Sequence, residues 1–490
     1  MNRDKVFSIG TIAGVFILIY MIILSTFVTS PLITTLPSFF ILFGIAAVVF
    51  IAFAIYLLID RGHIKIGVSA FILCLVLVTF MPRIAWILMV NTAPVSDFFL
   101  YHDYAIKASQ GFYKLYPDTY PLFPFKFGYP LLLTLLYKVF GASLMAAKIL
   151  NVFISIIVAI LIYWIGKKIF NETAGRIAGL IFALWPAQIM YNSVLASEHM
   201  FMLFFAASMA FFVKSQFYVE GGRRYLFPAL TGISLALAHM MRPVSFILFP
   251  VLLIYLLVFV KNTSLKKAVL HKFGIIALMI AGFVMSMTIF NAVIVNLTGI
   301  QVWRSSSGFS LLVGTNYQSS GMYNSEDEKI INEYKYDFDK INKEATRRAI
   351  ERIKSSPLNF LRLAEKKFIL QWTSEDFGLY WSVNKVVEES PIVELIRNEF
   401  KWIELVVQIY YIALLLFAAA GFIYSKRAGN YITTIFLMLF GAFVAAHTLL
   451  EVQSRYHYPI VPVLIIIAGY GVSELYKNVV KVKRIIGLKR

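Results

Sequence analysis

Four short clusters in the chain bring together residue types that could carry out chemistry. The first is Ser96-Asp97-Phe98-Phe99-Leu100-Tyr101-His102-Asp103-Tyr104, which lies just past a long apolar run. If it is helical, Asp97, Tyr101, Tyr104 and Ala108 share one face and Asp103 falls on another. Asp97 could serve as a general base or simply cap that helix. The second cluster is Glu198-His199. It is either an interfacial pair facing water or, with Asp97, the acidic wall of a site: a set of metal ligands (Asp97, Glu198, His199) or an electrostatic partner. The third is His239-Met240-Met241-Arg242-Pro243, a helix–helix corner where Arg242 either reaches lipid headgroups or binds a phosphate. The fourth is Glu451-Val452-Gln453-Ser454-Arg455-Tyr456-His457-Tyr458-Pro459. In a helical turn Glu451 and Arg455 would pair at i,i+4. Alternatively Arg455 takes a phosphate oxygen, which suits guanidinium geometry.

These clusters are islands in an apolar chain. Of 490 residues, 60% are hydrophobic and 14% charged, and the mean hydropathy is +0.77. Soluble domains carry about 25% charge, so the composition excludes a soluble enzyme and points to an all-α polytopic membrane protein. The single cysteine, Cys74, excludes an intrachain disulfide and a thiolate metal site.

A membrane-spanning helix needs about 20 mostly apolar residues. Twelve stretches qualify: 7–28, 36–59, 66–90, 144–166, 174–191, 197–214, 225–240, 243–261, 272–296, 402–424, 431–450 and 457–476. The first lacks a cleavage pattern and is expected to stay as an anchor. With the N-terminus placed in the cytoplasm, the inner segments hold 22 basic residues and the outer segments other than 297–400 hold six. This bias predicts N-in/C-in topology. It also explains the net charge of +19 as a topology signal and an attraction to anionic lipid, not a nucleic-acid footprint.

Two outer segments are long. The first, 91–143, contains Asp97, an aromatic and proline-rich stretch ending Gly128-Tyr129-Pro130, and a short apolar helix over 131–140 expected to lie along the interface. The aromatic residues of 113–129 suit a membrane interface better than a sugar platform. The second, 297–400, holds 15 of the 26 acidic residues and 14 basic ones. It is expected to form a small extracytoplasmic subdomain, with a polar helix over 326–355 and another from Pro357 to Trp372. The expected organisation is an extra N-terminal hairpin (1–65), a transmembrane module (66–296), this subdomain (297–400), C-terminal helices (401–476) and a basic cytoplasmic tail (477–490).

The ionisable groups avoid the middles of the spans. They collect at the outer ends, as Arg83, Asp97, His102, Asp103, Glu198, His199, His239, Arg242, His447, Glu451, Arg455 and His457. A transporter places such groups near the bilayer midplane. A single polar site at the outer surface is expected instead.

The pieces and their order resemble the GT-C superfamily of integral-membrane glycosyltransferases. The likeness is strongest to the family 39-like branch, related to protein O-mannosyltransferases and the aminoarabinose transferases of lipid A. The features that carry the resemblance are Asp97 with Tyr101, Gly128-Tyr129-Pro130 with Phe140-Gly141, Ser197-Glu198, Arg242-Pro243, Gly314-Thr315-Asn316 with Gly321, Ser356-Pro357 with Lys367 and Trp372, and Glu451, Arg455-Tyr456, Pro459 and Pro462. They cover 66–476. In the family the acidic residue follows the first span. Here two further spans precede it, an even number that preserves its side of the membrane.

The resemblance implies an inverting transfer of a sugar from a polyprenyl-phosphate donor to an acceptor lipid, glycan or protein at the extracytoplasmic face of the cell membrane. On that reading Asp97 is the base and Arg242 and Arg455 hold the phosphate. Glu198, with His199, orients the acceptor or holds a divalent cation, and Tyr101, His102, Asp103 and Tyr456 support the site. The alternatives are a flippase for lipid-linked sugars and a polysaccharide polymerase or ligase, which uses diphosphate-linked donors.

Overall fold

The computed structural model describes residues 3–27, 67–117, 119–217, 223–260, 265–303 and 307–485. The expected span at 36–59, the second arm of the N-terminal hairpin, lies outside them, as does the end of the tail. Among the described residues the chain is helical, and its one strand-like pairing is an isolated bridge between Thr92 and Val386.

Among the described residues seven helices are long and apolar enough to cross a membrane: Arg3–Phe27, Val68–Met89, Leu144–Ile169, Lys272–Thr298, Phe400–Arg427, Tyr431–Leu449 and Ser454–Asn478. In chain order the helices before the second long segment are α1 (Arg3–Phe27), α2 (Val68–Met89), α3 (Ser96–Ser109), α4 (Gly128–Phe140), α5 (Leu144–Ile169), α6 (Glu172–Ala183), α7 (Pro186–Tyr191), α8 (Ser197–Phe217), α9 (Arg223–Met241), α10 (Leu248–Val258) and α11 (Leu265–Thr298). Those that follow are α12 (Ser307–Gly314), α13 (Ser325–Glu333), α14 (Phe338–Ser355), α15 (Pro357–Trp372), α16 (Phe377–Val383), α17 (Pro391–Asn398), α18 (Phe400–Arg427), α19 (Thr434–Leu449) and α20 (Val461–Ile485). α5 is central, packing on α2, α6, α8 and α20; α9 packs on α8 and α11, and α18 on α1 and α20.

Some expected spans take another form. The stretch 174–191 is two helices, because Pro186 has no N–H to continue α6 and instead starts α7. The carbonyls orphaned at that break are taken up by Arg83. Its guanidinium donates to Ala183 O at 2.7 Å and Phe182 O at 3.1 Å, and its Nε to Gln188 Oε1 at 2.7 Å. A buried acceptor left without a partner costs about 1–3 kcal/mol. Arg83 is therefore a buried structural cap, not a residue of the polar site. The stretch 243–261 opens with a 3-10 turn, Pro243–Ile247, and its α-helical part, Leu248–Val258, is too short to span alone.

The short helix expected over 131–140 is α4. Leu135, Val139 and Phe140 lie exposed on it, while Tyr129, Leu133 and Tyr137 are buried. The polar helix expected over 326–355 is broken into α13 and α14 by Lys335 and Tyr336, both at positive φ. Helices α12 to α14 build a small core of Phe309, Leu312, Val313, Ile330, Ile331 and Ile341, which Leu122 of the first long segment enters. The aromatic stretch of that segment is itself core: Tyr120 and Phe127 are wholly buried and stacked, and the buried Tyr104 ring packs at an angle against both. Leu122 and these rings tie the two long segments into one layer at the end of the bundle that carries Asp97.

Candidate active site

The position of Asp97 follows from the backbone just before it. Val95 is extended and Ser96 takes φ +51°, so the chain enters α3 with Asp97 in its first turn. A left-handed non-glycine residue costs about 1 kcal/mol. Asp97 makes no helix cap, because the N-cap position is Val95 and no side chain caps the turn. Instead its carboxylate, about one-third exposed, accepts from Lys126 Nζ at 2.8 Å. Burial works to raise this carboxyl. Lys126, with Arg455 and Arg242 behind it, more than offsets burial and holds it below the usual value.

Lys126 reaches Asp97 because the segment that follows it packs tightly on α9. Gly128 sits where a Cβ would lie 1.9 Å from the Met240 carbonyl oxygen. Only glycine allows that approach, which sets the Lys126 turn against the Met240–Arg242 corner.

Arg242 forms an ion pair with Glu198, whose side chain is 2% exposed. Arg455 Nε lies 3.8 Å from the same Glu198 oxygen, which also accepts from Tyr191 at 3.4 Å. Two guanidinium groups thus share one buried carboxylate. Rings hold them in place: Arg455 stacks on Phe98 at 4.9 Å and Trp381 at 5.1 Å, and Arg242 on Tyr456 at 5.1 Å. Tyr101, buried one turn after Asp97, feels Asp97, Arg242, Glu198 and Arg455 together. The Tyr456 hydroxyl donates to Glu451 Oε1 at 3.2 Å. Glu451 does not pair directly with Arg455, because residues 451–453 are not helical. Gln453 links them, donating to Glu451 at 3.2 Å and accepting from Arg455 at 2.9 Å.

The second long segment closes over this cluster. Glu451 N donates to Ser310 O and Val452 N to Gly321 O, each at 3.0 Å. A Cβ on Gly314 would lie 2.3 Å from Leu449 O, so only glycine lets α12 meet the end of α19. Buried Lys367 spans the junction, donating to Gly314 O at 2.8 Å and Thr448 O at 2.9 Å.

The remaining expected residues point elsewhere. His102 bonds Tyr137 at 2.7 Å, and the Asp103 carboxylate accepts from Lys107 at 2.6 Å and from Tyr116. His199 uses both ring nitrogens behind Glu198, one at 3.0 Å from Tyr191 O and the other at 3.4 Å from the Tyr458 hydroxyl. Among the described residues no group of three His, Cys, Asp or Glu side chains gathers as metal ligands. Glu198 is turned to its two arginines and His199 to its own bonds, so Asp97, Glu198 and His199 do not fit a divalent cation as a set. Sequence reasoning passed over Lys126, which lies in an aromatic stretch and counts there as an ordinary loop cation. It also missed Trp381 and the buried Glu375, which accepts from Trp185 at 2.7 Å and bonds His457 at 2.5 Å.

Residues 124–286 match the family model described as dolichyl-phosphate-mannose-protein mannosyltransferase. No curated protein matches the chain. The apo oligosaccharyltransferase of Archaeoglobus fulgidus superposes with a TM-score of 0.50 at 14% identity, over 88% of this chain and 53% of that one. The archaeal oligosaccharyltransferase AglB of the same organism, in complex with an inhibitory peptide and a dolichol-phosphate, gives 0.50 at 13% identity, over 86% and 52%. ArnT from Cupriavidus metallidurans, bound to undecaprenyl phosphate, is 12% identical over 83% of this chain and 78% of its own, with a TM-score of 0.35. The chain spans about half the length of the oligosaccharyltransferases it matches. The chain therefore has the fold of these oligosaccharyltransferases, and its residues 124–286 carry the sequence pattern of the mannosyltransferase model.

Proposed function

We propose that the chain is an inverting glycosyltransferase that moves a sugar from a polyprenyl-phosphate donor to an acceptor at the extracytoplasmic face of the membrane. The observation that carries this reading is one cluster: the partly exposed Asp97 carboxylate pairs with Lys126, the next residue Phe98 carries the Arg455 guanidinium on its ring, and Arg455 shares Glu198 with Arg242. In a single displacement the acceptor hydroxyl attacks the anomeric carbon, and the bond from that carbon to the phosphate oxygen breaks with its electrons on the phosphate. Asp97 takes the hydroxyl proton. Arg242 and Arg455 meet the charge on the departing lipid phosphate, and their ring-held, largely buried setting strengthens that interaction.

Glu198 is the counter-ion that keeps the two arginines side by side before the donor arrives. Tyr456 carries the Arg242 guanidinium on its ring and Tyr101 lies buried one turn after Asp97, whereas His102, Asp103 and His199 support the surrounding helices. The dolichol-phosphate held by AglB, a protein of the same fold, supports a lipid-phosphate donor.

The test is Asp97→Asn in purified protein supplied with a labelled polyprenyl-phosphate sugar. Loss of polyprenyl-phosphate release, with unchanged thermal unfolding, is the expected result. Release at the parental rate would remove Asp97 as the base.

A further inference from the structure

A second cleft opens in the segment above the bundle, away from the Asp97 cluster. It encloses about 270 Å³ between the 314–321 loop and helices α14 and α15. That is near the lower end of small-molecule sites, which start at about 300 Å³.

The floor of this cleft is fixed by its own bonds. The amide oxygen of buried Asn316 accepts from Gln318 N at 3.0 Å and Ser319 N at 3.2 Å, and its amide nitrogen donates to Asp327 at 2.9 Å. Arg352 donates to the other Asp327 oxygen at 2.6 Å and to Leu312 O at 3.0 Å. The rim is different. Gln318, Glu326 and Asn359 are exposed there, and among the described residues their side chains make no hydrogen bond. The Tyr317 ring stands beside them, pinned on one face by Lys366 at 4.1 Å.

The chemistry selects among ligands. An anion is disfavoured: Arg352, the one cation of the lining, is matched by Asp327, and Glu326 adds negative charge. A peptide that adds a strand needs an open strand edge, and neither Thr92 nor Val386, the one strand-like pairing among the described residues, lines the cleft. A neutral polyhydroxyl ligand fits. Each hydroxyl both donates and accepts, as the rim amides do, and the carboxylate of Glu326 adds acceptors.

We propose that this cleft binds a neutral sugar unit, and that, on the function proposed above, it holds the acceptor glycan. The loop that walls it also meets the Glu451 stretch, Gly321 O accepting from Val452 N at 3.0 Å. A glycan seated in the cleft is thus one loop away from the stretch that carries Glu451 and Arg455.

The test is saturation-transfer NMR on the full chain in lipid nanodiscs, which avoids sugar-headed detergents. The probes are methyl α-mannopyranoside, methyl β-glucopyranoside, N-acetylglucosamine, inorganic phosphate and a Ser/Thr-containing tetrapeptide. At least one sugar is expected to receive saturation. That signal should fall at least five-fold in the Gln318→Ala/Asn359→Ala double variant, whose exposed positions leave folding unchanged, and persist in Asp97→Asn. No signal for any sugar, a signal unchanged in the double variant, or a signal for phosphate or peptide alone would overturn the proposal. Donor cleavage is read separately. An active chain without sugar binding refutes the cleft alone, whereas sugar binding in a chain that never cleaves the donor refutes the transfer reading.

Discussion

Lys126 Nζ stands 2.8 Å from Asp97 Oδ1, so the acid proposed as the base is neutralised by a cation that the first long segment delivers. Burial alone would lift the Asp97 carboxyl, and Lys126, Arg455 and Arg242 together pull it below the usual carboxylate value. A depressed carboxyl is ionised at every pH above its own value, so the acid limb of the transfer rate should lie below about pH 4. In Lys126→Met the largest lowering influence is gone and burial remains. The limb should then move upward, so that activity begins to fall at a pH where the parent is still flat. A kcat/KM profile measures this, and a limb that stays in place would show that Asp97 is not the titrating group.

Glu198 faces two guanidinium groups with its side chain 2% exposed. Removing one partner of a buried ion pair costs about 3–5 kcal/mol, because the other charge is left without compensation. Glu198→Gln should therefore lower the thermal unfolding temperature more than Arg242→Gln, since it leaves Arg242 and Arg455 facing each other. The double variant should recover part of the loss. Calorimetry of the three variants checks the order, and a Glu198→Gln protein as stable as the parent would contradict it.

What the sequence could and could not convey is visible at particular residues. Pro357 marks the start of α15 because proline has no N–H to lose at N1, and the helix runs to Trp372 as expected. The break between α6 and α7 was hidden, because a hydropathy window counts apolar side chains and does not weigh one proline whose orphaned carbonyls are taken by Arg83 from another helix. The break at Lys335 and Tyr336 was hidden for a different reason: neither residue is glycine or proline, so no local signal announces positive φ. Asp97, Glu198, Arg242 and Arg455 were legible as polar residues at helix ends. The contacts that sort them were not, since Lys126 lies 29 residues from Asp97 and Glu375 lies 190 from Trp185.

Lys367 gives a second titration, with the same sign as a salt-bridged carboxylate, because in both the folded value lies below the unfolded one. Burial lowers its ammonium to about 7, with Glu451 opposing; the unfolded chain keeps the ordinary value of about 10.4. Between those values the unfolded chain binds the extra proton, so stability rises with pH across that window, by up to about 1.4 kcal/mol per unit. The neutral amine keeps two N–H groups for its two acceptors, Gly314 O and Thr448 O. Thermal unfolding should therefore show a gain from pH 7 to 9 in the parent that Lys367→Met lacks. Equal slopes in the two proteins would show that Lys367 is charged when folded.

Gly128 ties the geometry of the site to one missing methyl group. Its φ of −57° is open to any residue, so the constraint on it is steric alone. A Cβ there would lie 1.9 Å from Met240 O and 2.9 Å from the Met241 side chain. Gly128→Ala must push α4 off the end of α9, and that motion separates Lys126, two residues before it, from Arg242, two residues after Met240. Overpacking of this kind costs about 1–3 kcal/mol. Transfer should fall at temperatures where the fold persists. Gly441→Ala is the matched control, because a Cβ there meets nothing within 4 Å. In mid-helix the added methyl should stabilise by about 0.5–1 kcal/mol and leave transfer unchanged. Equal unfolding temperatures and equal activities in the two variants would show that the approach of Gly128 to Met240 does not set the site.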